Sequence, residues 1–387
     1  IIYNWHLKYF LCILTYNNRI CLMNKSIVFF FIYLNLIMGN GFDSQFRMAR
    51  NNVDQIKKAI TETPKDQLEG MTWLVTNMQE EDLRTLSADF LLTNCKMAYD
   101  VWENNQWGKK IPEDIFLNFL LPYASLNERR DNWRKDFKNR FFPIIQNSNS
   151  LYEAAALLNQ NIYDEVGVIY STDRPKADQS PYESIEAGMA SCTGLSILLI
   201  DACRSVGIPA RFVGTPLWYN NSGNHSWVEI WDDGWHFTGA AEPTGDKLND
   251  VWFLDLASNA VEGDMTYGIF AATWGKTDIY FPMNWLPDVK IYNAIDVTTR
   301  YKIHKVETVL VPIRIRALDP SGERCEVKVT VIGEDNNIME GFSKDKTCDA
   351  NDHLTFMLPK GKTFKVRSKE VEKMIKVVNE QLIDLKL

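Results

Sequence analysis

The sequence is poor in three things, and each shortage excludes a class of protein. Basic charge is short: 42 Lys and Arg face 50 Asp and Glu, for a net charge of −8. No nucleic-acid partner is expected, because phosphate binding needs a concentrated basic surface. Cysteine is sparse, with seven scattered residues and no CxxC pair, which excludes a disulfide scaffold and the common zinc modules. The odd count leaves at least one thiol unpaired. Long apolar runs are missing as well. The stretch Ile27 to Met38 is too short to span a bilayer comfortably, so no integral span is expected in the mature chain. What remains is 387 residues with 45% hydrophobic, 24% charged and 12% aromatic content. That is enough for two or three domains and at least one large core. Twelve Trp and fifteen Tyr suit aromatic-lined clefts and a packed core alike.

Residues 1–22 carry no signature and read as an upstream segment. From Met23, a basic Lys25, the apolar run and the small Gly39 and Gly41 follow the pattern of an export signal. Residues 1–41 are therefore expected to precede a secreted or periplasmic protein. Export permits disulfides, and Cys325 with Cys348 is the expected couple. Residues 46–149 have helical texture, with segments such as NNVDQIKKAITET, EEDLRTLSADFLLTNCKMAYDVW and PEDIFLNFLLPY. The charge-dense string ASLNERRDNWRKDFKNRF reads as a solvated helix face. Strand alternation sets in over 296–370, with turns at Asp319-Pro320-Ser321-Gly322 and Pro359-Lys360-Gly361. That stretch is expected to be a small all-β, sandwich-like domain, followed by a helical segment over 371–387.

The chemistry concentrates between Gly188 and Pro243. Leu195, Leu198, Leu199, Ala202 and Val206 recur at helical spacing, so a buried helix follows Cys192. Gly207 ends it and Pro209 prevents its continuation. Cys192 sits at the N-terminal edge, where free amides and the positive dipole end lower a thiol pKa and make a nucleophile. The plainer reading is a small core residue, which suits Cys203, well inside the same helix.

GNHSWVEIWDDGWHFTGAAEP then reads as two strands around Asp233-Gly234. Alternation puts His225, Trp227, Glu229 and Trp231 on one face. A lone His is more often structural; its pairing with a helix-end Cys carries the weight, because such a pair performs acyl transfer. If Asp233-Gly234 is a two-residue turn, His225 lies opposite Glu242, which becomes the candidate orienter of the imidazole. A plain strand-end carboxylate is the alternative. His236 is the weaker alternative base. Trp218 and Trp227, with Tyr219 and Trp231, are candidates for lining a substrate cleft or for the core.

At these residues the sequence resembles the transglutaminase-like superfamily of papain-like thiol enzymes. The Cys192 helix, the GIPAR turn from Gly207 to Arg211 and the His225-Ser-Trp-Val-Glu strand carry the resemblance, over about 160–260. It implies an α+β fold with a transglutaminase-like core at 150–290, in which Cys192 is the nucleophile and His225 the base. Family members complete the site with an Asp in a D-P-T string four residues after the Trp that follows the turn. Here that place is Gly239, and the nearest equivalent is Glu242-Pro243-Thr244, three residues later. The flanking helical region and β module resemble exported bacterial proteins that carry such a core.

The expected function is thiol-mediated acyl transfer or hydrolysis on a protein or peptide amide, without a cofactor. The alternative is a catalytically degenerate scaffold that binds peptide or glycan. A metal site of Cys192, His225 and Glu242 would need a close three-ligand convergence with an open position.

Overall fold

The computed structural model describes residues 41–387 except 303–309 and 334–336. The expected leader and upstream segment therefore lie, but for Gly41, outside the described residues. Among these residues no helix is long and apolar enough to cross a membrane.

The first part of the chain is helical: α1 (Asp43–Ala49), α2 (Val53–Glu62), α3 (Leu68–Asn77), α4 (Glu80–Thr85) and α5 (Ala88–Asn104). The continuous helical text of 80–102 splits because Ser87 turns extended and its hydroxyl accepts from the Phe90 amide at 3.1 Å, capping α5. Next come α6 (Glu113–Ile115), which runs into a π-turn at Phe116–Leu120, then α7 (Arg134–Ile145) and α8 (Leu151–Val166).

The charge-dense string is a solvated face only in part: Arg129, Lys135 and Arg140 are exposed. Glu128, Asp131 and Arg134 are buried. The chain between the π-turn and α7 has no regular ladder to satisfy its carbonyls, and buried guanidiniums do so instead. Arg134 donates to the carbonyls of Leu120, Leu121 and Pro122 at 2.7, 2.8 and 3.0 Å. Arg204 donates to Phe119, Ala124 and Ala210 at 2.9 to 3.2 Å.

Two short parallel strands, β1 (Ile169–Tyr170) and β2 (Met189–Ala190), flank α9 (Pro181–Ala187) and deliver the chain into α10 (Cys192–Ser205). Almost every residue of α10 is buried, the charged Asp201 and Arg204 included. Gly207 breaks the helix with φ 94°, and a Cβ there would come within 2.7 Å of the Asn105 amide nitrogen.

Behind α10 lies an antiparallel sheet in the order β5-β4-β3-β6-β8-β7. Its strands are β3 (Ala210–Thr215), β4 (His225–Trp231), β5 (Trp235–Thr238), β6 (Phe270–Ala272), β7 (Ile279–Tyr280) and β8 (Asn293–Asp296), with α11 (Leu254–Ser258) between β5 and β6.

Arg211 of the GIPAR turn locks β3 to β4. Its Nε donates to Glu229 Oε2 at 2.7 Å and its guanidinium lies 3.6 Å from the Trp235 ring centroid. Tyr301 donates to the other Glu229 oxygen at 2.7 Å and accepts from Trp227 Nε1 at 2.8 Å.

The β module contains β9 (Leu310–Leu318), β10 (Lys328–Gly333), β11 (Ile338–Phe342), β12 (Leu354–Pro359), β13 (Thr363–Ser368), β14 (Val371–Lys376) and β15 (Gln381–Lys386). Two sheets, β11-β10-β13-β14 and β12-β9-β15, enclose one apolar cluster and form a sandwich. The expected helix over 371–387 is corrected: β14 and β15 occupy it. Ile375 with Val377, and Ile383 with Leu385, are buried at a spacing of two, the period of a strand. Cys325 and Cys348, expected to pair, are not bonded to one another, and among the described residues both are free thiols. The loop carrying Cys348 is turned toward the core by Arg324, whose guanidinium donates to the Asp349 and Asp352 carbonyls at 2.8 and 3.0 Å.

Arg211→Leu is expected to destabilise the protein by about 3 kcal/mol, because it leaves the Glu229 charge buried without its closest cation. The denaturation midpoint checks this, and a change within 0.5 kcal/mol, roughly that of a neutral surface substitution, would show that the pair does not hold the sheet.

Candidate active site

Cys192 is the first residue of α10. Ser191 caps the helix, its Oγ accepting from the amides of Thr193 and Gly194 at 3.1 and 3.2 Å. Cys192 is thus held at the positive end of the helix, partly open to solvent. Cys203 is fully buried, and burial pushes its thiol well above the ordinary range; it is core.

His225 begins β4 and is 1% exposed. Its ring is packed by Trp252 and Phe253, with centroids at 5.0 and 4.8 Å, and by Trp227 at 5.9 Å. Trp218 and Trp227, candidates for a substrate cleft or for the core, are wholly buried and stacked on one another with centroids 6.1 Å apart. They form the apolar wall behind the imidazole, because large flat rings fill the space between β4 and the following loops. His236 lies away from Cys192, with its Nδ1 3.0 Å from the Asn249 side chain and its ring against Tyr152.

The hairpin register differs from the one expected. Trp231 pairs with Trp235, so Asp232, Asp233 and Gly234 make a three-residue connection, and pairing ends at Val228 with Thr238. Asp233 has φ 52° and Gly234 φ 148°, and this left-handed pair absorbs the extra residue. Glu242 is therefore not a cross-strand neighbour of His225. It arrives by another route.

The chain after Thr238 folds back on itself. Asn159 of α8 donates to the Gly239 carbonyl at 2.8 Å and accepts from the Ala241 amide at 3.0 Å. Ala241 is held at φ 62°, a conformation that L-residues adopt under constraint. The fold-back brings Glu242 Oε2 to 3.6 Å from His225 Nε2, where it also accepts from Trp252 Nε1 at 2.8 Å. A Cβ at Gly239 would come within 2.0 Å of that same oxygen. The glycine and the glutamate are one arrangement: the carboxylate fills the space a side chain at 239 would take.

Asp349 is the residue that sequence reasoning missed. The loop between β11 and β12 carries it back to the core, where Oδ2 lies 3.6 Å from His225 Nδ1. The Asp349 side chain is buried, and its Oδ1 accepts from the Asn351 amide at 2.9 Å. The loop is seated by Asn351, which donates to the Asn224 carbonyl at 2.9 Å, and by the Ala350 amide, which donates to Tyr170 Oη at 3.0 Å. Gly223, at φ 127°, leaves room for this contact; a Cβ there would come within 2.5 Å of Asn351 Oδ1. No motif marks Asp349, because its nearness to Cys192 is made by the docking of a separate module.

Cys192 Sγ, an imidazole nitrogen of His225 and an Asp349 oxygen lie within 4.8 Å of one another. Burial would lower the His225 pKa, but Asp349 and Glu242, with a contribution from Cys192, raise it well above 6.5. Burial opposes the Asp349 charge as well; the imidazolium, the Asn351 amide and Arg324 outweigh it and hold that carboxyl below its ordinary value. The two carboxylates thus favour the imidazolium form of the buried ring, which stands beside Cys192.

Residues 139–239 match the family model of the transglutaminase-like superfamily, so this part of the chain is a transglutaminase-like domain. Cys192 and His225 lie inside the match; Glu242 and Asp349 lie beyond it. Similar solved structures include a Cytophaga hutchinsonii protein provisionally assigned as a cysteine protease, at 20% identity and TM-score 0.25, covering 28% of this chain and 37% of that one. Red sea bream transglutaminase matches at 10% identity and TM-score 0.27, covering 74% of this chain and 59% of that one. A C-terminal fragment of the Lactobacillus rhamnosus GG pilus adhesin SpaC matches at 12% identity and TM-score 0.16, covering 44% and 74%. The chain thus spans little more than a third of the Cytophaga protein. No curated protein matches by sequence.

The His225 titration, followed by NMR of labelled histidine, is expected to have its midpoint above 6.5. Glu242→Gln and Asp349→Asn are each expected to lower it, and Gly239→Ala is expected to act like Glu242→Gln by expelling the carboxylate. Because the folded value is raised, the stability that His225 contributes is complete below about 6.5 and fades as pH rises through the folded midpoint. A midpoint at or below 6.5 in the native protein would contradict the electrostatic account.

Proposed function

We propose, from the transglutaminase-like domain at residues 139–239, that the protein is an exported thiol enzyme acting on an amide or peptide bond. Cys192 is the nucleophile, His225 the general base and acid, and Glu242 the group that orients the imidazole. The observation that carries this reading is the pairing of Gly239 with Glu242. The position where the family places its Asp is emptied of a side chain, and a carboxylate from three residues later fills that space at 3.6 Å from His225 Nε2. With Glu242 at Nε2, Nδ1 serves the thiol.

The reaction runs in two halves. In the thiolate–imidazolium pair His225 already holds the Cys192 proton, and the thiolate attacks the substrate carbonyl carbon. The imidazolium then protonates the leaving nitrogen, the C–N bond breaks, and an acyl thioester on Cys192 remains. Water attacks that thioester as His225 accepts its proton, and the carboxylic acid leaves with the thiol restored. Hydrolysis is favoured over crosslinking because water is always present, whereas transfer to an amine needs a dedicated second site. The export reading of residues 23–41 sets this chemistry outside the cytoplasm, on an extracellular or periplasmic peptide.

The test combines trapping with turnover. Iodoacetamide, applied in a chelator to the folded protein, is expected to alkylate Cys192 ahead of the buried Cys95 and Cys203, and His225→Ala to slow that step at least about tenfold. On a panel of peptide amides, Cys192→Ala is expected to abolish turnover and Glu242→Gln to reduce it by about 10²-fold or more. A Cys192 no more reactive than an ordinary thiol, and indifferent to His225, would leave the binding-scaffold reading in its place.

A further inference from the structure

The geometry points to a transition-metal site, best suited to Zn²⁺, formed by Cys192, His225 Nδ1 and Asp349. A catalytic triad is linear, with the thiol and the orienting carboxylate on opposite sides of the ring. Two hydrogen bonds of about 3 Å plus the ring width then put sulfur and oxygen roughly 6 Å or more apart. Glu242 occupies that opposite side. Asp349 does not: its carboxylate, the imidazole nitrogen and the sulfur all fall within 4.8 Å of one another. This is a triangle, and a triangle of S, N and O is the face a tetrahedral ion needs.

One edge of the triangle can be compared directly. Zinc bonds of about 2.3 Å to sulfur and about 2.1 Å to nitrogen and oxygen give ligand-to-ligand edges of roughly 3.4–3.6 Å in a tetrahedron. Asp349 Oδ2 and His225 Nδ1 stand 3.6 Å apart, too far for a hydrogen bond and close to that edge.

A second observation is independent of the spacing. The His225 ring is 1% exposed, yet among the described residues neither of its nitrogens has a hydrogen-bond partner. A fully buried imidazole nitrogen aimed at a thiol and a carboxylate is a donor placed to bind a cation. Thiolate plus carboxylate also supply the two negative charges that neutralise a divalent cation, and sulfur with imidazole selects zinc or its neighbours over calcium and magnesium.

The three ligands are anchored on separate supports. Cys192 is fixed by the cap of α10, His225 by β4, and Asp349 by the Arg324 clamp and the Asn351 contact. Cys192 is partly exposed, which gives the ion an entry and a fourth position for water. Binding expels the proton that Cys192 and His225 share in their ion pair and takes up both the sulfur and the Nδ1 lone pair. A bound ion therefore silences the thiol reversibly and ties the β module to the core. The site needs only these ligands and stands whether or not the protein turns over a substrate.

The experiment titrates metal-free protein with Zn²⁺ and, separately, with Co²⁺. Expected are one ion per chain, a thiolate-to-cobalt charge-transfer band, and protection of Cys192 from iodoacetamide by Zn²⁺. Cys192→Ser is expected to abolish the band, and Asp349→Asn to weaken binding at least about tenfold and remove the protection. Glu242→Gln is expected to bind normally, since its carboxylate faces the other nitrogen. Each variant is first required to melt cooperatively; if Asp349→Asn does not, Asp349→Glu and the cobalt band of the native chain decide. Unaltered affinity in Asp349→Asn, or cobalt bound without a thiolate band, overturns the site. Alkylation in chelator reads the catalytic proposal separately, so the two can fail independently.

Discussion

The whole site depends on keeping one imidazole charged in a place that water does not reach. His225 is enclosed by Trp227, Trp252 and Phe253, and burial of that kind alone would make it neutral. Two carboxylates, brought from opposite directions, reverse the outcome. Neither comes from the strand that carries the histidine. The Glu242 turn needs Asn159 from α8 and an open Gly239, while Asp349 needs the β module docked over Gly223. The helices, the sheet and the sandwich thus meet at a single ring, and much of the surrounding geometry is the means of holding two acids beside it.

Buried cations recur elsewhere in the core with a different set of acceptors. Arg134 and Arg204 have no carboxylate at hydrogen-bond distance among the described residues; a ring of backbone carbonyls holds them. Their charge is spread over the carbonyls of a chain segment that lacks a ladder, and this fixes the path between the π-turn and α7. Arg211 uses a formal ion pair instead, since β3 and β4 already satisfy their own backbone. Backbone supply and demand decides which solution each arginine adopts.

What could be read from the chain follows the distance over which each feature is encoded. The α10 helix, its Ser191 edge, the Gly207 stop and the strand bearing His225 are local, and periodicity reveals them. The hairpin register was misread by one residue, because Asp232-Asp233-Gly234 satisfies a two- and a three-residue connection equally well on paper. Glu242 was reached from the wrong pairing: it is near His225 through a fold-back that only Gly239 and Asn159 together permit. Residues 128–134 read as solvated because charge usually is, and nothing local says that bare carbonyls await them. The segment 371–387 carries apolar residues that fit either period, and the partner strands β13 and β9 decide for a sheet. Asp349 had no local signal at all.

The separation of the site's parts along the chain has a kinetic meaning. Cys192, His225 and Glu242 lie within one stretch that closes through short connections, so they can meet early in folding. Asp349 arrives only by closing the long path through β6 to β11, a contact of high sequence separation that forms slowly. The thiol and its base therefore come together first, in a site open on the Nδ1 side. The module's docking then covers that side, so the finished pocket is a later product than the nucleophile it contains.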